Sequence, residues 1–207
     1  ATQDVRWREG RVFSLVFDPG EELLAFGKKA YTAFFSENGL NPSAFPSLRR
    51  FEIEVVSLVA SLLGGDAEVV GNMTSGGTES ILMAVKTARD RGRDKNPRDT
   101  RPEMILPVSA HPAFDKAAHY FGVRPVHVPA GKDFRADVKA MKKAISRHTV
   151  LMVGSAPSYP HGVVDPIEEL AELARQKDIP FHVDACVGGM ILPFLRSLGY
   201  PLPGFDF

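Results

Sequence analysis

Four short apolar runs recur between Met104 and Asp184, each separated from the next by a stretch with helical spacing. This alternation confines the chain to very few architectures. The runs are Met104-Ile105-Leu106-Pro107-Val108, Val126-His127-Val128, Val150-Leu151-Met152-Val153 and Phe181-His182-Val183-Asp184. Helices are predicted from Pro112 to Phe121, closed by Gly122, from Asp137 to Ile145, and from Pro166 to Lys177. Asp165 is placed as N-cap of the last of these, with Pro166 at its first position. Strands this uniformly apolar, joined through helices, belong in a sheet covered on both faces. The predicted fold class is therefore α/β, a mostly parallel sheet flanked by helices.

Upstream of this region the elements are less regular. Asp18-Pro19-Gly20 reads as a turn, followed by a helix from Glu21 to Phe35 with an acidic first turn. Ser36 to Pro46 is rich in Gly, Asn and Pro and reads as a loop. Leu48, Phe51, Val55, Leu58 and Leu62 then follow helical spacing until Gly64-Gly65. Val69-Val70 is a short strand candidate, and a further helix runs from near Glu79 to about Arg91, with Ile81, Ala84, Val85 and Ala88 on its apolar stripe. Arg91 to Arg101 is charged and reads as a solvated linker. The chain divides on this reading into an N-terminal segment, residues 1–63, and a larger domain, residues 64–207.

The 25 acidic and 25 basic residues cancel, so nothing electrostatic favours nucleic acid or an anionic membrane. A single cysteine, Cys186, allows no internal disulfide and suits a reducing compartment, so a cytoplasmic location is expected. No apolar run approaches the roughly 18 residues of a membrane span. The first residues lack both a signal-peptide pattern and a starting Met, so the chain reads as a piece of a longer protein, with an anchor outside it left open.

Three features stand at strand ends, where ligands bind in open α/β sheets. Thr74-Ser75-Gly76-Gly77-Thr78 lies before a helix. There, backbone amides, hydroxyls and the positive helix end make an anion site, although a plain tight turn capped by Thr78 would look the same. The turn matches neither the phosphate loop of nucleotide hydrolases nor the dinucleotide fingerprint. Asp184 is suited to keep a pyridinium nitrogen protonated, or simply to cap the turn before Gly188-Gly189. His111 could stack on a flat ring or move a proton, or could cap the following helix. His127, His148 and His119 are weaker candidates. No grouping has zinc-ligand spacing, so no metal is expected. Taken in order, a phosphate cradle, a stacking His and a carboxylate suit one phosphorylated planar cofactor, pyridoxal 5'-phosphate.

The segments Thr74 to Met83 (TSGGTESILM), His111 to Gly122 (HPAFDKAAHYFG), Met141 to His148 (MKKAISRH), Pro160 to Pro166 (PHGVVDP) and His182 to Gly189 (HVDACVGG) carry a closer likeness. Together they resemble the sphingosine-1-phosphate lyase family, in the group II decarboxylase branch of fold-type-I pyridoxal-phosphate enzymes. The likeness extends from about Gly39 onward. The resemblance implies that Gly77 and Thr78 hold the cofactor phosphate, with Ser75 and Gly76 completing the turn. It also implies that His111 stacks on the pyridine ring, that Asp184 partners the ring nitrogen, that Ala185 packs on the other ring face and that His182 lies close by. His111 and Asp184 are thereby the catalytic candidates. The family's covalent lysine lies in a His-Lys-Tyr segment shortly after a stretch resembling Gly204-Phe205-Asp206-Phe207, so it is expected from the C-terminal remainder of the protein. Neither Lys86 nor Lys177, both expected on exposed helix faces, matches that position.

The activity implied is a retro-aldol cleavage of phosphorylated long-chain bases to a long-chain aldehyde and phosphoethanolamine, in a homodimer whose subunits share the active site. Two positions depart from the family pattern. Phe17 stands where Tyr is usual, and Asn41 replaces a histidine in Asn38-Gly39-Leu40-Asn41-Pro42. Both face the substrate region in the family, so they bear on substrate identity. An amino-acid decarboxylase of the same branch and a non-catalytic subunit of the same fold are the alternatives, with a nucleotide-binding protein behind them.

Overall fold

The computed structural model describes residues 3–12 and 17–206. By internal packing the chain forms two compact units, Ala1–Ile53 and Glu54–Phe207. In the first, a 3-10 turn (Trp7–Glu9) precedes helix α1 (Glu21–Ala33), which buries none of its residues. Tyr31 meets Phe35 edge to face at 5.9 Å, and Phe34 meets Phe51 at 5.3 Å. Helix α2 (Pro46–Leu62) carries the division between the units. Ala60 is its buried residue, while Phe51, Val55 and Leu58 of the expected stripe stay exposed.

The second unit is the α/β body. Helix α3 (Gly77–Lys95) leads into β1 (Glu103–Pro107), then α4 (Ala113–Phe121), β2 (Arg124–Val128), α5 (Val138–Ala144), β3 (Thr149–Ser155), α6 (Ile167–Gln176) and β4 (Phe181–Asp184), followed by a 3-10 turn (Gly188–Met190) and α7 (Leu192–Ser197). All strand pairs are parallel, in the order β2-β1-β3-β4. The expected fold class is the observed one. The period of two along each strand sorts its side chains. Met104 and Leu106 of β1 and Leu151 and Val153 of β3 pack under α3 and α4, while Ile105 and Met152 face α5 and α6. Phe114 is the largest wholly buried side chain of the first layer, and its burial contributes about 1.5–3 kcal/mol. Gly122 ends α4 in the left-handed region (φ 64°), with its amide on the Ala118 carbonyl.

Three expectations change. Val69-Val70 is not a strand: among the described residues no strand pairs with it, and Val70 is 89% exposed. An apolar pair needs a partner's backbone before it becomes a strand. The supposed linker after Arg91 is helical as far as Lys95, its charges lying on a solvated face. Lys86 bonds Asp90 at 2.7 Å, and Lys95 bonds Asp178 at 2.6 Å. Asp165 does not cap α6. The cap position is Pro166, and the Asp165 side chain is wholly buried, accepting the amides of Ala136 and Ser155. Among the described residues no helix is long and apolar enough to cross a membrane.

The chain order also creates a switch. The connection from β1 moves outward to β2, and the next returns past β1 to β3, so successive crossovers leave β1 and β3 in opposite directions. Crevices form beyond the carboxyl ends of strands at such a point.

Candidate active site

The turn before α3 is built from its smallest residues. Gly76 is the N-cap residue, with φ 155°, a value that side chains with a Cβ rarely adopt. Glu79, in the first turn, reaches back, and its Oε2 accepts the Ser75 amide at 2.6 Å. The Ser75 hydroxyl and amide hold the Glu79 carboxyl below its ordinary range. Thr74 Oγ1 and Ser80 Oγ share a hydrogen bond of 2.7 Å across the same turn. Thr78 is thus helical and not the cap. The amides of Gly77 and Thr78, first in a 19-residue helix, find no acceptor among the described residues, as expected for the first turn of a helix. They lie at its positive end.

Asp184 ends β4 at the carboxyl edge of the sheet. Its Oδ1 accepts the Cys186 amide at 3.2 Å, so the turn-capping role is present. That turn brings Cys186 against the glycine turn: a Cβ on Gly77 would come to 3.0 Å from Cys186 Sγ. Burial and the Asp184 carboxylate push the Cys186 thiol up to about 12. Behind Cys186 the chain is tightly seated. A Cβ on Gly188 would lie 1.8 Å from the Ala156 carbonyl oxygen, beside the cis peptide bond of Ala156-Pro157. The Gly189 amide bonds the Ala185 carbonyl at 2.8 Å.

His182, two residues before Asp184, meets Phe114 of α4 edge to face at 5.7 Å. Burial lowers its pKa, outweighing the opposite pull of Asp184, so the ring is neutral near pH 7. His111 follows β1, on the same edge of the sheet. Its Nδ1 accepts the Ala113 amide, the first of α4, at 3.1 Å, although Pro112 holds the cap position, and the imidazole is exposed. The accepting Nδ1 places the proton of the neutral ring on Nε2.

The structure thus sets Gly77 beside Cys186, whose amide bonds Asp184, and sets His182 against Phe114 of the helix that follows His111. Phe17 and Asn41 belong to the first unit. Phe17 is exposed, and Asn41 Oδ1 accepts the amides of Ser43 and Ala44 at 3.1 and 3.2 Å. Lys86 on α3 and Lys177, which follows the last residue of α6, are both exposed. Sequence reasoning did not single out Cys186, Phe114 or Glu79 here. Only Glu79 had a readable signal, a carboxylate at the start of a helix four residues after Ser75.

The pyridoxal-dependent decarboxylase conserved domain matches residues 2–205. The chain belongs to that family. Within it, the chain is 51% identical to the sphingosine-1-phosphate lyase of Oryza sativa subsp. japonica over 99% of its length, and 49% identical to the sphingosine-1-phosphate lyase 1 of Rattus norvegicus over its full length. It spans 39% and 36% of those two proteins. A Burkholderia pseudomallei sphingosine-1-phosphate lyase structure superposes with a TM-score of 0.91 at 40% identity, covering 97% of this chain and 48% of that one. The glutamate decarboxylase of Lactobacillus brevis shares the fold, with a TM-score of 0.76 at 22% identity over 94% of this chain and 45% of that one. The body described above is therefore the pyridoxal-phosphate fold of this family, seen in part.

Proposed function

We propose that this chain is the pyridoxal-phosphate-binding part of a carbon–carbon lyase that cleaves phosphorylated long-chain bases of the sphingosine 1-phosphate type by a retro-aldol reaction, giving a fatty aldehyde and phosphoethanolamine. The observation that carries this reading is the pair of unpartnered Gly77 and Thr78 amides held against the Asp184–Cys186 loop. The substrate class rests on the likeness to lyases over almost the whole chain.

The residues fit the cofactor. The Gly77 and Thr78 amides, with Ser75, Gly76 and the Thr78 hydroxyl, would hold its phosphate at the positive end of α3. Asp184 would hold a proton on the ring nitrogen, His111 would cover one ring face and Ala185 the other, with His182 alongside. Once bound, the cofactor supplies an electron sink for the cleaved C–C bond. His182, whose pKa desolvation lowers, would bring no positive charge to compete with the ring nitrogen for Asp184. Glu79 is tied to Ser75, which shapes the turn although its charge opposes an incoming phosphate. The covalent lysine we assign to the part of the protein that corresponds to the relatives' additional length.

We place this part of the protein in the cytoplasm, which is compatible with a membrane anchor outside it, in a homodimer with a shared site and with residues 64–207 as part of the cofactor domain. Residues 1–63 would supply the interface and, through Phe17 and Asn41, the substrate region. The exposed apolar side chains of α1, Leu23, Phe26 and Tyr31, support such an interface.

The test is to supply the complete, cofactor-loaded protein with a phosphorylated long-chain base and follow aldehyde and phosphoethanolamine by mass spectrometry. A second reading is an amino-acid decarboxylase. It is favoured by 40% identity, over 87% of this chain, to a probable L-tyrosine/L-aspartate decarboxylase of Methanothermobacter thermautotrophicus, 48% of which is covered. Carbon dioxide released from an amino acid, with no aldehyde from the phosphorylated base, would establish that reading instead.

A further inference from the structure

Asp165 lies in the Pro160 to Pro166 motif, to which the site above gives no role. Its side chain is wholly buried. Oδ1 accepts the Ala136 amide and Oδ2 the Ser155 amide, both at 2.8 Å, and its own amide donates to the Ser155 carbonyl at 2.9 Å. Ser155 is the last residue of β3 and stands in register with Asp184. The next amide, Ala156, donates to the Asp184 carbonyl at 2.8 Å.

Successive amides along a strand point to opposite sides. On the β4 side, then, the end of β3 is bonded to Asp184. On the other side β1 pairs with β3 only as far as Ile105 and Met152, and the Asp165 carboxylate occupies the place of the missing strand. The last turn of β3 is clamped between two aspartates, one acting by its side chain and the other by its carbonyl. A carboxylate satisfied only by backbone amides is costly to bury, and burial pushes the Asp165 pKa up despite those bonds. Apolar packing would supply stability at lower cost, so the carboxylate's geometry is what this position uses.

We propose that Asp165 is a positioning residue for Asp184: it fixes the end of β3 so that the Asp184 carboxylate is presented to the cofactor ring in one orientation. The inference rests on Asp184 being the ring-nitrogen partner.

The test uses the complete protein, titrated with pyridoxal phosphate. Asp165→Asn keeps the size but turns an N–H toward one of the two amides. Leu173→Ala, buried in α6, is the reference for lost stability alone. Two readouts are taken, the cofactor Kd and the pH dependence of the bound cofactor's absorption band. Asp165→Asn is expected to raise Kd about tenfold and to move the band's pH profile toward that of Asp184→Asn, while Leu173→Ala lowers only Tm. Wild-type affinity and profile in Asp165→Asn, with Tm lowered as in Leu173→Ala, would overturn the inference alone, provided Asp184→Asn moves the profile. No shift in Asp184→Asn would overturn the ring-nitrogen reading and this inference with it. If Asp165→Asn does not fold, hydrogen exchange of the wild-type protein decides. Loading the cofactor should slow exchange at Ala136, Ser155 and Ala156 together, and unchanged exchange there would overturn the proposal.

Discussion

Gly77 and Cys186 stand so close that a methyl group added to the glycine would come to 3.0 Å from the cysteine sulfur. The turn that opens α3 therefore lies directly beside the loop that carries Asp184. Because the obstructing atom ends a rotatable side chain, Gly77→Ala should fold. It should bind pyridoxal phosphate about tenfold more weakly, since the added methyl group and the rotated sulfur crowd the space in front of the Gly77 and Thr78 amides. A cofactor titration beside a thermal melt separates the two effects.

Gly188 leaves no such freedom. Its added Cβ would meet a backbone oxygen at 1.8 Å, and backbone cannot rotate aside. Gly188→Ala should destabilise the protein by roughly 3 kcal/mol or more, read from the urea midpoint.

Asp184→Ala should lower turnover on the order of a hundredfold or more, because the ring nitrogen loses the charge that keeps it protonated. Full activity in this variant would remove the electron-sink role. Single-turnover rates of aldehyde release are the measurement.

The Cys186 thiol, pushed up to about 12 by desolvation and the Asp184 carboxylate, should hold far less thiolate at pH 8 than an ordinary cysteine although its side chain is exposed. Alkylation at Cys186, followed by peptide mass mapping, should be slow in the folded protein and fast in urea. Asp184→Asn should accelerate it in the folded protein, by removing the neighbouring charge that disfavours the thiolate.

His182 makes folding pH-dependent in a defined direction. Its folded pKa lies below the ordinary 6.5, so below that pH the unfolded chain takes up a proton that the folded chain resists. Stability contributed by the neutral ring is complete above pH 6.5 and falls as the pH drops toward the folded value. Denaturant midpoints measured from pH 7.5 to 5 should fall less steeply for His182→Gln than for the wild-type protein.

Much of this was readable in one dimension. The runs at Met104, Val126, Val150 and Phe181 became the four strands, buried throughout in the central β1 and through most of β3, and only partly in the edge strands β2 and β4. Gly122 ended α4 where a left-handed residue was needed, and Asp137 caps α5 through the Ala140 amide at 3.0 Å. Asp165 was misread for a definite reason. An Asp before a Pro and a helix has the local signature of a cap, and only the distant amide of Ala136, together with that of Ser155, turns it inward. The Arg91 to Lys95 segment was misread because charge density alone does not distinguish a linker from the wet face of a helix whose other side rests on Val150.

The sequence by itself determined the class of fold, the order of its elements and the residue types available at the strand ends, because periodicity and turn chemistry act between near neighbours. Tertiary structure decided that Val69-Val70 has no strand to pair with, that Cys186 meets Gly77 and that Asp165 stands where β1 has turned away from β3. Each of these joins residues that are far apart in the chain or depends on which strands lie side by side. The strand order β2-β1-β3-β4 sets those distances, and no local pattern encodes them.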